Sequence, residues 1–181
     1  MLFRSVNAYD GFLTPMNSII GGLASHNIIA GVSNKYTPIK QWLYYECLDI
    51  CNPEKANNWK TSSVYQNQVK VIGSKLQKKI SKTNLFIVGS GAIGCEHLKN
   101  FSMMGIGKQT ITDMDIIEKS NLSRQFLFRS SDIGKLKSEV ASNKVKQMKP
   151  SIDFLHYSEK VGFDNKTFTD NILKDNKLSG V

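Results

Sequence analysis

Gly89-Ser90-Gly91-Ala92-Ile93-Gly94 forms a G-x-G-x-x-G turn, and an acid, Asp113, follows it at about 20 residues' distance. Asn121, Arg124 and Lys137 come next. Gly89 permits a tight turn, Gly91 lets backbone amides approach a nucleotide, and Gly94 allows a helix to close on a strand. Asp113 stands where an acid would accept hydrogen bonds from ribose hydroxyls. Taken alone, the turn and the acid fit a nicotinamide dehydrogenase, or a glycine turn with no ligand. The residues after Asp113 point elsewhere. Asn121 can donate to a phosphate oxygen, Arg124 can fork two N–H groups onto phosphate, and Lys137 supplies a point charge. Together they suit the negative charge that builds on an α-phosphate under nucleophilic attack. Lys137 shares a helical stripe with Val140, Ala141, Val145 and Met148, where a lysine wants an anionic partner. Lys144 lies on the same stripe, so a cation that merely snorkels remains an alternative there.

The elements needed to position these groups are legible. Leu85-Phe86-Ile87-Val88 is a continuous apolar run, suited to a strand buried on both faces. A helix is expected over Gly94–Met104, a strand at Thr110–Thr112, and a helix over Gly134–Met148 that ends before Pro150. Further elements are expected as a strand at Ile152–Phe154, a helix at Phe168–Leu173 and a strand at Leu178–Val181. Strands alternating with helices predict an α/β fold with a doubly wound, mostly parallel, Rossmann-like sheet. Upstream, Thr14-Pro15 opens a helix carrying Ile19, Ile20, Leu23, Ala24 and Ile28. Gln41-Trp42-Leu43-Tyr44-Tyr45 reads as a strand. Residues 51–63 are polar and aperiodic and read as a linker, and Gln68–Ser81 reads as a short extended start followed by a helix.

With 181 residues, 40% of them hydrophobic and 22% charged, the chain has the composition of a globular protein. No apolar run is long enough to cross a bilayer and the first residues show no secretory pattern, so no membrane partner is expected. Three irregularly spaced cysteines, Cys47, Cys51 and Cys95, argue for reduced thiols, hence cytoplasm and nucleus. The net charge of +9 fits a nucleic-acid binder or a lysine-rich surface. The lack of an aromatic-and-basic recognition module favours the surface, and no nucleic acid is expected. Gly134-Lys135-Leu136-Lys137-Ser138 has the wrong spacing for a P-loop. His26, His97 and His156 lack zinc-ligand spacing.

Gly89 to Glu96, then Thr112-Asp113-Met114-Asp115, Ile117 to Leu122 and Arg124 to Arg129 closely resemble the active adenylation domain of ubiquitin-activating enzymes, a ThiF-type domain. Gly21-Gly22-Leu23-Ala24 and Tyr36 to Tyr44 resemble the end of the inactive adenylation half of the same enzymes. The resemblance implies a tail of the inactive half at 1–50, a linker at 51–64 and the start of the active domain at 65–181. It implies a fragment with an incomplete sheet, preceded by a helix and a strand of the inactive half. By the resemblance, Gly89, Gly91, Ala92, Gly94, Asp113, Asp115, Asn121, Arg124, Gln125 and Lys137 bind ATP, and Arg124 and Lys137 also act in catalysis. The family adenylates the C-terminal carboxylate of ubiquitin with Mg2+ and ATP, captures it on a cysteine, and passes it to a ubiquitin-conjugating enzyme. The thioester cysteine and a magnesium aspartate would then lie outside this chain, and Cys95 would match a structural position.

Val64 and Gln66 depart from the family's usual Arg-Tyr-Asp pattern. The short Met104–Gln109 connection is closer to that of sulfur-carrier-activating enzymes. Activation of another ubiquitin-like or sulfur-carrier protein, and a non-catalytic nucleotide-binding module, stand as alternatives.

Overall fold

A computed structural model describes residues 13–40, 42–45, 63–162, 167–168 and 178–180. By internal contacts the chain divides into two units, Met1–Gln77 and Lys78–Val181, and each is described by itself.

In the first unit, helix α1 spans Thr14–Ser33, with Pro15 in its first turn and Asn34 closing it in the left-handed region at φ 51°. Its residues include no Asp, Glu, Lys or Arg, and Ile19, Ile20, Ile28, Ile29 and Val32 are exposed. No helix among the described residues is long and apolar enough to cross a membrane. The Asn27 side chain donates to Leu23 O and accepts from the Ile39 amide, so the segment after the helix folds back along it. The strand expected at 41–45 is not formed. Residues 42–45 are irregular, with Trp42 and Tyr44 exposed; Gln41 lies outside the described residues. Aromatic residues favour a pleated surface only where a neighbouring strand supplies hydrogen bonds and cover.

The extended start expected at 68 is also overturned. Helices α2 (Gln66–Ile72) and α3 (Ser74–Ile80) flank Gly73, whose φ of +81° breaks the helix there. Gln68 Nε2 donates to Gln77 Oε1 at 2.7 Å, a buried pair across that break.

The second unit holds three parallel strands, β1 (Asn84–Val88), β2 (Lys108–Thr112) and β3 (Asp153–Tyr157), in the order β1-β2-β3. Helix α4 (Ala92–Met104) connects β1 to β2, and helix α5 (Lys137–Met148) precedes β3. Leu85 pairs with Gln109 and Gln109 with Phe154, which puts the C-terminal ends of all three strands together. Cys95 and Leu98 of α4, Ile111 of β2, Val140, Ala141 and Val145 of α5, and Phe154 of β3 form the core with Leu127 and Phe128. Beyond β3 the chain returns to the opposite edge of β1. Gly180 bridges Leu85 in parallel, and the Phe86 amide donates to Gly180 O at 3.0 Å. Only this bridge is seen of the strand expected at 178–181. The helix expected at 168–173 lies outside the described residues except Phe168, which is in a bend.

Helix α5 begins at Lys137 rather than Gly134. Ile116 forms an antiparallel bridge with Leu136, and the Gly134 amide donates to Ile117 O at 2.8 Å. Residues 134–136 are spent on that pairing and cannot start a helix. Just before it, Asp132 is almost fully buried. It accepts from the Arg129 amide at 3.0 Å and from Lys135 Nζ at 3.2 Å, with Lys144 Nζ at 4.0 Å. Burial pushes this carboxyl up, but the Arg129 amide and the two lysines outweigh it and hold the pKa below the usual carboxylate value. Asp132→Asn is therefore expected to destabilise the chain by about 1.5–3 kcal/mol at neutral pH in urea unfolding. Because the folded pKa is depressed, the wild-type advantage is fully present above the unfolded value, about 3.9, and is lost as pH falls through the folded one. An advantage unchanged down to pH 2 would contradict this.

Candidate nucleotide site

The parallel register sets Val88 beside Thr112, so the residues that follow each strand emerge side by side. Gly89 takes φ +92°, and its amide donates to Thr112 O at 2.8 Å. Ser90 is fully buried, and its amide and hydroxyl both donate to Asp113 Oδ2, at 2.6 and 2.8 Å. Asp113 Oδ1 accepts from the Asp115 amide at 2.9 Å. The glycine turn is thus tied to the end of β2 by the predicted acid.

The spaces at the glycines differ. A Cβ on Gly94 would lie 2.1 Å from Gly89 O, so this glycine is fixed by the helix closing on the turn. A Cβ on Gly91 would meet no atom of the protein within 4 Å. Gly91 caps α4 without any side-chain hydrogen bond, and the first turn holds no acid. The first amides of the helix therefore face an opening with no carboxylate of their own helix to satisfy them. A cavity of about 380 Å³ lies there, lined by Ile87, Val88, Gly89, Gly91, Ala92, Ile93, Gly94 and His97. The bridge of Gly180 to the far edge of β1 makes this the point where strand order reverses, where doubly wound sheets bind ligands.

Lys137 is brought to the same ends of the strands by the Ile116–Leu136 bridge. Its amide donates to Asp115 O at 2.9 Å, and its Nζ lies 2.8 Å from Asp115 Oδ2. Lys137 is buried while Asp115 is exposed, so the ammonium has the anionic partner its position demands. Lys144 by contrast is half-buried beside Asp132.

Asn121, Arg124 and Gln125 lie on the 3₁₀ turn Lys119–Ser123 and just after it. Asn121 is buried, and its Oδ1 accepts from the Glu118 amide at 3.0 Å, so its carbonyl is spent on capping the turn. Arg124 is exposed and donates to Ser120 O at 3.1 Å. Gln125 is buried with Oε1 unpartnered among the described residues. None of these three side chains bonds to the Ser90–Asp113 or Lys137–Asp115 pairs among the described contacts. The link between the two groups is Cys95. Its thiol donates to Ser90 O at 3.4 Å, and its side chain shares the core with Leu127. Burial pushes this thiol up to about 11; Asp113 and Lys137 act on it with opposite signs, so both charges lie within its electrostatic reach. A fully buried thiol so raised is a poor nucleophile. Ser90 carries no signal of this role in the sequence, because it is a variable position of its motif.

The sheet, the glycine turn and the acid define a Rossmann-like α/β protein with a candidate ligand site at its switch point. The ThiF family matches residues 65–177, and the chain belongs to that family. It is 45% identical to human ubiquitin-like modifier-activating enzyme 1, over 94% of this chain and 17% of that protein. It is also 45% identical to ubiquitin-activating enzyme E1 1 of Candida albicans (strain WO-1), over 89% of this chain and 18% of that one. The chain therefore spans under a fifth of these relatives' length. Among solved structures, Escherichia coli MccB with AMPCPP and MccA matches at a TM-score of 0.53 and 25% identity, over 61% of this chain and 34% of that one.

The two glycines separate fold from ligand. Gly94→Ala is expected to destabilise by about 1–3 kcal/mol or more, from the backbone clash. Gly91→Ala should leave stability within about 0.5 kcal/mol yet weaken ATP binding about tenfold or more, because the methyl fills the ligand's space. Thermal unfolding and equilibrium ATP titration check both. ATP affinity unchanged in Gly91→Ala would place the nucleotide elsewhere.

Proposed function

We propose that this chain forms part of the ATP site of an enzyme that adenylates the C-terminal carboxylate of ubiquitin or a ubiquitin-like protein. The observation that carries the reading is the convergence, at one end of the sheet, of an uncapped helix N-terminus, an acid locked to the glycine turn, and a buried lysine held on a neighbouring carboxylate. The likeness to ubiquitin-activating enzymes extends over more of the chain than the ThiF match, and supports both the substrate class and the 1–50, 51–64 and 65–181 layout.

A carboxylate is a poor electrophile, and ATP supplies the phosphoanhydride that makes it reactive. On this reading the chain's residues do the following. The amides at the start of α4, with Gly91 and Ala92, cradle phosphate. Asp113, already fixed by Ser90, accepts a ribose hydroxyl with the lone pair its three present donors leave free. Lys137 and Arg124 bring cations to the α-phosphate as charge builds on it, and Asn121 and Gln125 offer amides to the same oxygens. Asp115 holds the Lys137 ammonium in place. Mg2+ would enter with the phosphates. No three His, Cys, Asp or Glu side chains converge on a metal-sized space among the described residues, and a phosphate-bound Mg2+ keeps much of its water and needs no such cage. Thioester capture, transfer to a ubiquitin-conjugating enzyme, and action in cytoplasm and nucleus belong to the same proposal.

The test is ATP–pyrophosphate exchange by the longest polypeptide that carries this chain, with ubiquitin and other modifier proteins supplied in turn. Exchange should depend on one of them. Lys137→Ala and Arg124→Ala should each lower it by roughly 10²-fold, the loss typical of removing an electrostatic stabiliser. Exchange near wild-type in both variants, or dependent on no modifier, would sink the reading.

A further inference from the structure

The loop that carries Arg124 and Gln125 is gripped from helix α4 at two points one turn apart. Leu127 joins Cys95 in the buried core, and the Cys95 thiol donates to Ser90 O. Lys99 Nζ lies 4.9 Å from the centroid of the Phe126 ring, and Glu96 steadies the same ammonium. Arg129 closes the loop on itself, donating through Nη1 to Phe126 O and Phe128 O. Leu127 and Phe128 are buried in the core, but Phe126 only packs against it from outside. Gln125 is buried and Leu122 packs against the core, but Arg124 between them is exposed, and the guanidinium's one described partner is Ser120 O. Two residues after the arginine, the half-buried Phe126 is the loop's ring contact with helix α4, and Lys99 covers that ring. Lys99 sits on the very helix whose N-terminus opens on the cavity, so the contact sets one side of the candidate site against the other.

We propose that Lys99 is a positioning residue, which holds the Arg124–Gln125 loop against the glycine turn through Phe126 and so sets affinity for the nucleotide's phosphates. This rests on the ATP reading given above. Lys99 itself touches no candidate ligand atom and acts through the ring. A cation over an aromatic face is attracted by the ring quadrupole, and an arginine does this as well as a lysine. An uncharged side chain of similar length keeps the packing and loses the attraction.

The experiment compares wild type with Lys99→Met, Lys99→Arg and Glu96→Gln in the longest polypeptide that carries this chain. It reads melting temperature, hydrogen exchange of the amides of residues 124–128 without nucleotide, and ATP affinity. Lys99→Met should leave the melting temperature near wild type, speed exchange of those amides and weaken ATP binding. Each effect should be roughly three- to fivefold, the size of one partly exposed cation–π contact. Lys99→Arg should restore both, and Glu96→Gln should leave both near wild type because the ring contact survives. Unchanged exchange in Lys99→Met overturns the proposal, as does a loosened loop with undiminished ATP affinity, or a Glu96→Gln variant that behaves like Lys99→Met. If wild type binds no ATP, the nucleotide reading fails and takes this role with it. If only the Lys99 variants fail to differ, this role falls alone.

Discussion

The carboxylate of Asp113 joins two parts of the chain that nothing local would hold together. Ser90 and Asp113 are 23 residues apart, yet one oxygen of the acid takes both the amide and the hydroxyl of Ser90. Hydrogen bonds to an ionised acceptor are about twice as strong as neutral ones. Parallel pairing makes them possible, because the register of β1 on β2 delivers the first residues after each strand to the same place. The glycine turn is therefore shaped from outside itself. Its own sequence allows the conformation, and the acid selects it.

A second constraint follows at the next crossover. An ammonium taken out of water costs several kcal/mol unless an anion and good geometry compensate. Lys137 is buried, so its distance to an acid decides whether its position is tenable. The short antiparallel bridge between Ile116 and Leu136 settles this by setting Asp115 and Lys137 next to each other. Asp115 stays largely in water and so pays little desolvation for the pairing. The lysine is thereby paired, at the strand ends, with an exposed acid that another anion could replace.

How much of this could be read in advance depends on whether the cause was local. The run Leu85–Val88 followed by glycines announced a buried strand, a tight turn and a helix, and all three are present, with α4 starting two residues earlier than expected. Asp113 was legible as the acid that closes the second strand, because it directly follows the Thr110-Ile111-Thr112 run. The start of α5 was not, because helical periodicity runs back through Gly134 and cannot register a backbone bridge to residue 116. The extended start expected at Gln68 failed for a similar reason: the break at Gly73 leaves two seven-residue helices, each too short for its periodicity to be read. The aromatic run at 42–45 has strand propensity but no described strand beside it. Ser90 acts through position rather than type, which no residue pattern records.

Asn121 shows how the same residue can serve fold and site together. Its carbonyl oxygen accepts the Glu118 amide, and the Glu118 side chain in turn takes the Asn121 amide. The orientation of the side-chain amide is thus set during folding, and its NH₂ keeps only a long contact with Ser120 Oγ at 3.4 Å. A donor already oriented loses little entropy when an acceptor arrives. Gln125 is the complementary case: a buried amide with an unmatched oxygen is costly in the empty protein and marks a place where a polar group belongs. Around these fixed groups stand two cations whose present partners, Asp115 for Lys137 and the Ser120 carbonyl for Arg124, lie on exposed residues. A site that must take in one polyanion and release another needs both kinds of contact. On the proposed reading, the fixed amides and Asp113 would define where the nucleotide lies, and the exchangeable cations would let its charge change without dismantling the fold.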